Sequence, residues 1–442
     1  MASQSAAETM IATSAGRFVG LHERGVTRYR GIRYATAGRF ERPHPAGPAP
    51  DEVRAVDPAP ACPQPRSRGD RMLGDPYRGI RFDEDCLRLS VTVPDGAGPE
   101  ARLPVLVWIH GGSYVAGAGD LPIFDPATLV AEQHVVVVAV TYRLGVLGFL
   151  GDGRDVPPNL GLLDLVEALR WVRRHVADFG GDPDAVTLAG QSAGGDAIAH
   201  LLIADGAAGL FRRAIVQSAP FGIRRNRSTM TRRMLEAVGR LDPGATEDLL
   251  FAAHDRAYAA ARRYGLRSGM PFGPQYGADP LPAEAAADRA WRAVADRVDV
   301  LVGWTTEETA FFGALSPGLS RLFALPLVGG RLRRLVVGVT TDAVYRRGGR
   351  AFAALLRSAG GRVTEYELDW WPAGSPAQAG HTIDLPLLFP DADGWAGARV
   401  LGEIDPHDLV ALGSGLRAAW GAFARGEALL SMPDGPVRVT FR

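Results

Sequence analysis

Continuous apolar runs of strand length are the feature that most constrains how this chain folds. The segments LPVLVWI (103–109) and VVVVAVTYR (135–143) are largely apolar and are bounded by glycine or polar residues. Such runs are typical of strands buried on both faces, because helices cover both sides of their sheet. Three further runs follow the same pattern, at 185–190, 213–219 and 298–305. The pattern therefore predicts a sheet enclosed between helical layers.

Segments with helical spacing separate these runs. Residues 162–176 carry apolar side chains at Leu162, Val166 and Leu169, which is the spacing of one helix face. Residues 193–203 also have a helical pattern. Strands that alternate with helices in this way predict an α/β fold with a mostly parallel, doubly wound sheet.

The remaining segments are assigned around this body. The first hundred residues are rich in Pro, Gly and Arg, and short runs such as 87–93 predict antiparallel strands rather than a separate domain. Helical patterns at 224–297 and 313–349 predict cap insertions. Three more elements are predicted towards the C-terminus, as strands at 363–368 and 436–441 and a helix at 409–424. No internal repeat is visible, so residues 1–442 are interpreted as a single α/β domain with a reduced helical cap.

Composition excludes several classes of function. The 442 residues are 46% hydrophobic, which is ordinary for a globular protein, and 49 basic residues balance 49 acidic ones. This balance gives no electrostatic reason to expect a nucleic-acid or anionic-membrane partner. No apolar stretch is long enough for a membrane span, and no secretory signal is visible at the start. We expect a cytoplasmic protein that is a monomer or a small homo-oligomer.

Gly190-Gln191-Ser192-Ala193-Gly194 matches the pattern Gly-x-Ser-x-Gly. The pattern alone is weak, but here it follows an apolar strand and precedes a helical run. A strand-turn-helix of this kind holds the serine in a tight, exposed bend, which requires small neighbours. It also puts backbone N–H groups at a helix N-terminus, where developing negative charge is stabilised. Ser192 is therefore the candidate nucleophile.

A second glycine-rich turn, His110-Gly111-Gly112-Ser113, follows the strand that ends at Ile109. Glycines there allow backbone N–H groups to approach a substrate oxygen without obstruction by Cβ. The N–H groups of Gly112 and Ser113, together with that of Ala193, are predicted to form an oxyanion hole. His110 is interpreted as a structural residue of this loop.

These elements together resemble the type-B carboxylesterase and cholinesterase branch of the α/β-hydrolases. The matching segments occur in the family's order and are GIRYA (31–35), EDCLRLSV (84–91), LPVLVWIHGGSYVAG (103–117), VTYRLGVLGFL (140–150), NLGLLD (159–164), ALRWVRRHVADFGGDPDAVTLAGQSAGG (168–195) and FRRAIVQSA (211–219). The resemblance implies an α/β-hydrolase fold, a serine esterase activity and a catalytic triad in the chain order Ser, Glu, His.

The general base is predicted among nine histidines. In α/β-hydrolases the triad histidine follows both the nucleophile and the acid along the chain. His381 fits this order, and its segment, His381 to Pro386, resembles the family's His-x-x-acidic-Leu-Pro pattern. His407 is the alternative.

For the acid, the strand at 298–305 is followed closely by Glu307 and Glu308. A carboxylate just beyond the carboxyl end of a strand can reach a histidine that serves the nucleophile. When the chain is aligned on the following Phe311-Phe312, Glu308 takes the family's triad position. Asp384 is a weaker alternative.

The predicted reaction is hydrolysis of an uncharged small-molecule ester by Ser192, His381 and Glu308 through an acyl-enzyme intermediate. It requires no metal and no organic cofactor. Two alternatives remain, namely a non-catalytic cholinesterase-like binding protein and an acyltransferase that uses the same triad. The natural substrate, the acyl-chain preference and the stereoselectivity are not predicted.

Several residues depart from the family or leave a question open. Gln191 stands where many relatives carry Glu, which predicts no cholinesterase activity, and Leu165 replaces a usual Gln. The short interval between the predicted acid and base suggests a trimmed cap and an open gorge. Ser218 is interpreted as a buried, hydrogen-bonded serine. Whether Cys62 and Cys86 form a disulfide is open.

Overall fold

A twelve-stranded sheet forms the centre of the computed structural model, which describes residues 7–67 and 69–442. The strands are β1 Ala7–Thr13, β2 Gly16–Glu23, β3 Val26–Arg33, β4 Glu52–Arg54, β5 Arg88–Pro94, β6 Leu103–Ile109, β7 Val136–Val140, β8 Gly181–Gln191, β9 Arg213–Gln217, β10 Asp299–Thr305, β11 Val363–Asp369 and β12 Arg438–Phe441.

The strand order is β1-β2-β3-β5-β7-β6-β8-β9-β10-β11-β12, with β4 paired to β2. The six strands from β7 to β11 in this order are parallel to one another. Antiparallel pairs extend the sheet at both edges, through β1, β2, β3 and β5 at one and β12 at the other. The predicted N-terminal antiparallel strands therefore belong to the same sheet as the parallel core.

Both faces of the sheet are covered, as the apolar runs predicted. Alternate side chains of β6 enter two different cores, with Val105 and Val107 in one and Leu106 and Trp108 in the other. The helices are α1 Asp70–Leu73, α2 Ala127–Gln133, α3 Gly145–Phe149, α4 Leu160–His175, α5 Ala193–Leu201, α6 Ser228–Val238, α7 Glu247–Ala261, α8 Ala287–Val294, α9 Ala310–Ala314, α10 Pro317–Phe323, α11 Gly329–Thr341, α12 Arg347–Arg357, α13 Leu385–Leu388 and α14 Leu409–Arg425.

The two predicted cap segments are helical, although the second one extends further than expected. Helices α6, α7 and α8 lie within 224–297. In the second segment α10 and α11 are followed by a short π-helical turn at Asp342–Arg346, which leads directly into α12. The predicted boundary at 349 therefore falls inside a continuous helical run.

One predicted strand is shorter than its apolar run. β7 ends at Val140, before Arg143. The Arg143 guanidinium donates to both carboxylate oxygens of Asp164, at 2.9 and 2.6 Å, and both side chains are buried. A buried charged pair needs this geometry to offset its desolvation. The neighbouring Leu165 is packed in the apolar core.

The two cysteines are buried and are not bridged. A hydrogen bond with Cys62, together with burial, raises the pKa of the Cys86 thiol. Within the described residues, no helix combines the length and apolar character needed to cross a bilayer.

Candidate active site

The candidate site lies where the parallel strands end. Ser192 follows β8 directly, and the predicted oxyanion loop, residues 110–113, follows β6. Glu308 lies just beyond β10, and His381 lies on the loop after β11. The carboxyl ends of neighbouring parallel strands meet at one edge of a sheet, which is where ligands bind in open α/β folds. The sheet therefore brings together four segments that are far apart in the chain.

Ser192 occupies a sharply bent turn. Its backbone has φ +60° and ψ −122°, a conformation that residues other than glycine rarely adopt. The turn is fixed on both sides, because the Ser192 N–H donates to Gln217 O at 2.8 Å and Ser192 O accepts from the Asp196 N–H at 2.9 Å. The neighbouring Gly194 must be small, since a Cβ there would lie 2.0 Å from Ile109 O. This close approach explains the motif that the sequence showed.

The oxyanion loop has a similarly constrained backbone. Gly112 has φ +108°, and a Cβ at this position would lie 1.9 Å from Ala116 O. In the described part of the chain, no protein hydrogen bond uses the N–H of Gly112 or of Ser113. Ala193 is the first residue of α5, so its N–H also has no partner within the helix. Three free donors are thus available beside Ser192.

Two aromatic anchors hold this loop. The Tyr114 hydroxyl donates to Asp196 Oδ2 at 2.8 Å, which ties the loop to α5. Tyr114 is buried against Phe149, with ring centroids 4.4 Å apart, so it packs in the core rather than lining a gorge. His110 stacks on Tyr142, and burial lowers the pKa of His110 to about 4. A neutral, buried His110 agrees with its predicted structural role.

Glu308 and His381 form a buried, directly bonded pair. His381 Nδ1 lies 2.6 Å from Glu308 Oε2, and the Thr305 N–H donates to Glu308 Oε1 at 2.9 Å. The backbone joins them as well, because the His381 N–H donates to Glu308 O at 3.0 Å. A carboxylate fixed in this way holds the Nδ1–H tautomer and leaves Nε2 free to accept a proton.

Gln191 connects the pair of Glu308 and His381 to the turn around Ser192. Gln191 Nε2 lies 3.2 Å from His381 Nε2 and 3.4 Å from Nδ1, and Nδ1 is already bonded to Glu308. Because these two distances are nearly equal, the Gln191 amide lies over the His381 ring and does not point along the lone pair of one nitrogen. Within the described residues no hydrogen bond joins Ser192 Oγ to His381. Such bonds are often long before substrate binds and tighten in the complex.

The alternative acids and base have other partners. Glu307 pairs with Arg333 at 2.8 Å, and His407 is exposed in a short turn. Asp384 Oδ2 accepts from Gln217 Nε2 at 2.8 Å, and within the described residues no hydrogen bond joins it to His381. Only Glu308, among these carboxylates, is hydrogen-bonded to His381 in the described part of the chain.

Asp384 is nevertheless expected to govern part of the protein's stability. Burial raises its pKa from an ordinary 3.8 to about 6, and the charge of Glu308 adds to the rise. The folded chain therefore holds this proton more tightly than the unfolded chain. The resulting stabilisation is complete below about pH 4 and is lost as the pH rises through about 6.

Asp384→Asn should remove this dependence. The free energy of unfolding of the wild type, relative to the variant, should fall by about 2 kcal/mol between pH 4 and pH 7. Urea unfolding across that range measures the difference. Parallel profiles for the two proteins would contradict the assignment.

Aromatic side chains close the site around His381. Phe312 and Tyr345 lie with ring centroids 5.4 and 5.2 Å from the imidazole, and Phe311 lies next to Phe312. Ser192 is 8% exposed and His381 is 3% exposed, so both side chains are largely covered, and the open gorge stays a prediction. No sequence pattern points to Tyr345, because it reaches the site from the distant cap turn before α12.

Comparison with known proteins gives one consistent result. Residues 7–320 match the model of the carboxylesterase family. The chain is 38% identical to a probable N-octanoylanthranilate hydrolase of Rhodococcus erythropolis, over 90% of this chain and 88% of that protein. It is 33% identical to the para-nitrobenzyl esterase of Bacillus subtilis, over 94% and 89% of the two chains.

A solved structure agrees with these sequence matches. A thermophilic PNB esterase superposes with a TM-score of 0.79 and 30% identity, over 98% of this chain and 97% of that one.

Proposed function

Because the chain belongs to the carboxylesterase family and is a carboxylic ester hydrolase of α/β-hydrolase fold, we propose that it cleaves uncharged esters through an acyl-enzyme on Ser192. His381 serves as the general base, and Glu308 orients and stabilises it. The observation that carries this proposal is the buried contact of 2.6 Å between His381 Nδ1 and Glu308 Oε2. All 442 residues are proposed to serve this one catalytic body.

In the first half of the reaction, His381 Nε2 takes the Ser192 proton as Oγ attacks the ester carbonyl. The tetrahedral intermediate places its negative oxygen towards the free N–H groups of Gly112, Ser113 and Ala193. Each such donor is worth a few kcal/mol because its bond strengthens in the transition state. His381 then gives the proton to the leaving alcohol, and the acyl group remains on Ser192.

In the second half, water replaces the alcohol and the same steps release the acid. The substrate is proposed to be uncharged because the side chains around His381 are mainly aromatic, and the amide of Gln191 brings no formal charge. The para-nitrobenzyl esterase relative is named for an uncharged aromatic ester, which is consistent with this class.

The test is a rapid-mixing assay with p-nitrophenyl acetate followed by mass spectrometry. We expect a burst of p-nitrophenol equal to the enzyme concentration and an acetyl group on the peptide that contains Ser192. Steady release with no burst and no acyl peptide would contradict the mechanism. Added alcohols separate the two enzyme classes, because hydrolysis yields acetate whereas an acyltransferase would convert most of the acyl group to a new ester.

Choline esters should be poor substrates. Gln191 lies beside His381 Nε2, which delivers the proton to the leaving alcohol, so residue 191 is close to the alcohol group. Without a carboxylate there, kcat/KM for butyrylcholine should be about tenfold or more below that for dimethylbutyl butyrate, its uncharged analogue. Gln191→Glu should raise kcat/KM for butyrylcholine relative to kcat/KM for dimethylbutyl butyrate. Equal rates for both esters in the wild type would contradict this prediction.

A further inference from the structure

The second cap segment presents an unusual surface near the candidate site. Six large apolar side chains there are at least 40% exposed, and we refer to them as the apolar rim, which comprises Phe312, Leu325, Leu327, Val328, Leu335 and Val339. They come from the end of α9, the loop between α10 and α11, and the outer face of α11. Exposed apolar side chains gathered in this way indicate an interaction surface.

Helix α11 has two different faces. On its inner face Val337 and Thr341 are buried, and Val337 O accepts from Thr309 Oγ1 at 3.1 Å. On the outer face Leu335 and Val339 lie one turn apart and are exposed. The inner contacts fix the helix next to Glu308, so its apolar outer face is held in place without a protein cover in the described residues.

The tip of the loop is a second, independent indication. Leu327 is 96% exposed and has φ +66°, in the left-handed region where glycine or asparagine is favoured. A branched apolar side chain there gains nothing from packing and strains its backbone. A residue of this kind is expected where it meets an external partner.

The charge of the segment indicates what that partner is. Residues 309–341 contain four arginines, at 321, 331, 333 and 334, and no Asp or Glu. Glu307 pairs with Arg333, whereas Arg321, Arg331 and Arg334 are exposed. The chain as a whole is neutral, so the overall balance conceals a local positive excess. Arginines beside exposed apolar side chains are typical of helices that lie in the surface of an anionic bilayer.

A second copy of the chain fits this surface less well. A symmetric dimer places the same patch of both copies face to face. Two sets of arginines would then meet, with no acidic residue of the segment to offset them. An anionic lipid surface provides both the apolar layer and the compensating charge.

The apolar rim also leads into the candidate site. The Phe312 ring lies 5.4 Å from the His381 ring and is still 40% exposed, so one side chain spans from the site to the surface. An ester dissolved in the bilayer would therefore contact the apolar rim before it became exposed to water.

We propose that the apolar rim docks the protein on anionic lipid bilayers and turns the entrance of the site towards them. The docking itself does not depend on the proposed catalytic roles, whereas uptake of esters from the bilayer rests on the proposed function.

The test uses co-sedimentation of the full chain with vesicles of phosphatidylglycerol and phosphatidylcholine in equal parts. Leu327→Asp should weaken binding by about tenfold or more, because the tip must then bury a charge. Aspartate also tolerates a positive φ better than leucine, so folding should be preserved. Hydrolysis of p-nitrophenyl acetate, which is soluble, should be unchanged. Leu430→Asp is the matched control, because Leu430 is 80% exposed but lies in the C-terminal segment.

Three results would overturn the docking proposal. They are failure of the wild type to sediment with the anionic vesicles, equal binding by Leu327→Asp, and equal loss in Leu430→Asp. A dimer in solution that Leu327→Asp dissociates, without vesicle binding, would assign the rim to self-association instead.

Ser192→Ala should keep vesicle binding and lose turnover. If that variant keeps turnover, the proposed mechanism fails while the docking result stands on its own.

Discussion

Ser192→Ala is expected to lower kcat for p-nitrophenyl acetate by about 10⁴- to 10⁶-fold. The side chain loses only its hydroxyl, and the turn that holds it is fixed by backbone bonds to Gln217 and Asp196, so the fold should persist. The activity that remains reflects the oxyanion donors alone. Steady-state rates and the burst amplitude, measured on both proteins, check this prediction.

Ser218 provides a matched control for that experiment. It follows the neighbouring strand β9, is buried, and also has a positive φ of +49°. Its hydroxyl has no protein partner in the described residues, which corrects the expectation of a hydrogen-bonded serine. Its N–H donates instead to Gly303 O at 2.8 Å. Ser218→Ala should keep near-normal turnover, and equal losses in both variants would indicate a structural effect rather than a lost nucleophile.

Glu308→Gln is expected to have the second largest effect, a fall in kcat of about 10³- to 10⁴-fold. The amide can no longer stabilise a protonated His381, and it can donate to Nδ1, which favours the tautomer that is wrong for catalysis. KM should change little, because Glu308 is buried behind the histidine.

Two neighbouring acids make this prediction specific. Glu307→Gln breaks an ion pair with Arg333, and Asp384→Asn alters a bond to Gln217, but neither removes a bond to His381. Both variants should stay within about tenfold of the wild-type kcat. A larger loss in Asp384→Asn than in Glu308→Gln would transfer the role of the acid to Asp384.

The sequence was sufficient wherever local chemistry determines the structure. The turn around Ser192 requires glycines because the backbone of Ile109 lies against it, so the motif and its surrounding strand and helix could be recognised together. The short segments around Glu308 and His381 likewise indicated these two residues, because each resembles the corresponding segment of the family. In both cases the signal lies within a few neighbouring residues.

Contacts between distant segments could not be predicted. Gln191 was identified as a departure from the family, but its position over His381 depends on how two loops meet. Tyr345 reaches the same ring from the cap, and its surroundings in the sequence resemble those of any helix. The buried pair of Arg143 and Asp164, beyond the early end of β7, likewise joins two segments that only the folded chain brings together.

The order of the site residues along the chain has a consequence during protein synthesis. The ribosome releases Ser192 and Glu308 well before His381, which follows β11, a strand that inserts between β10 and β12. N-terminal segments fold first as the chain emerges. A nascent chain can therefore build the turn around Ser192 early and still lack His381, the base that we propose, so we expect no hydrolysis until the last third of the chain has joined the sheet.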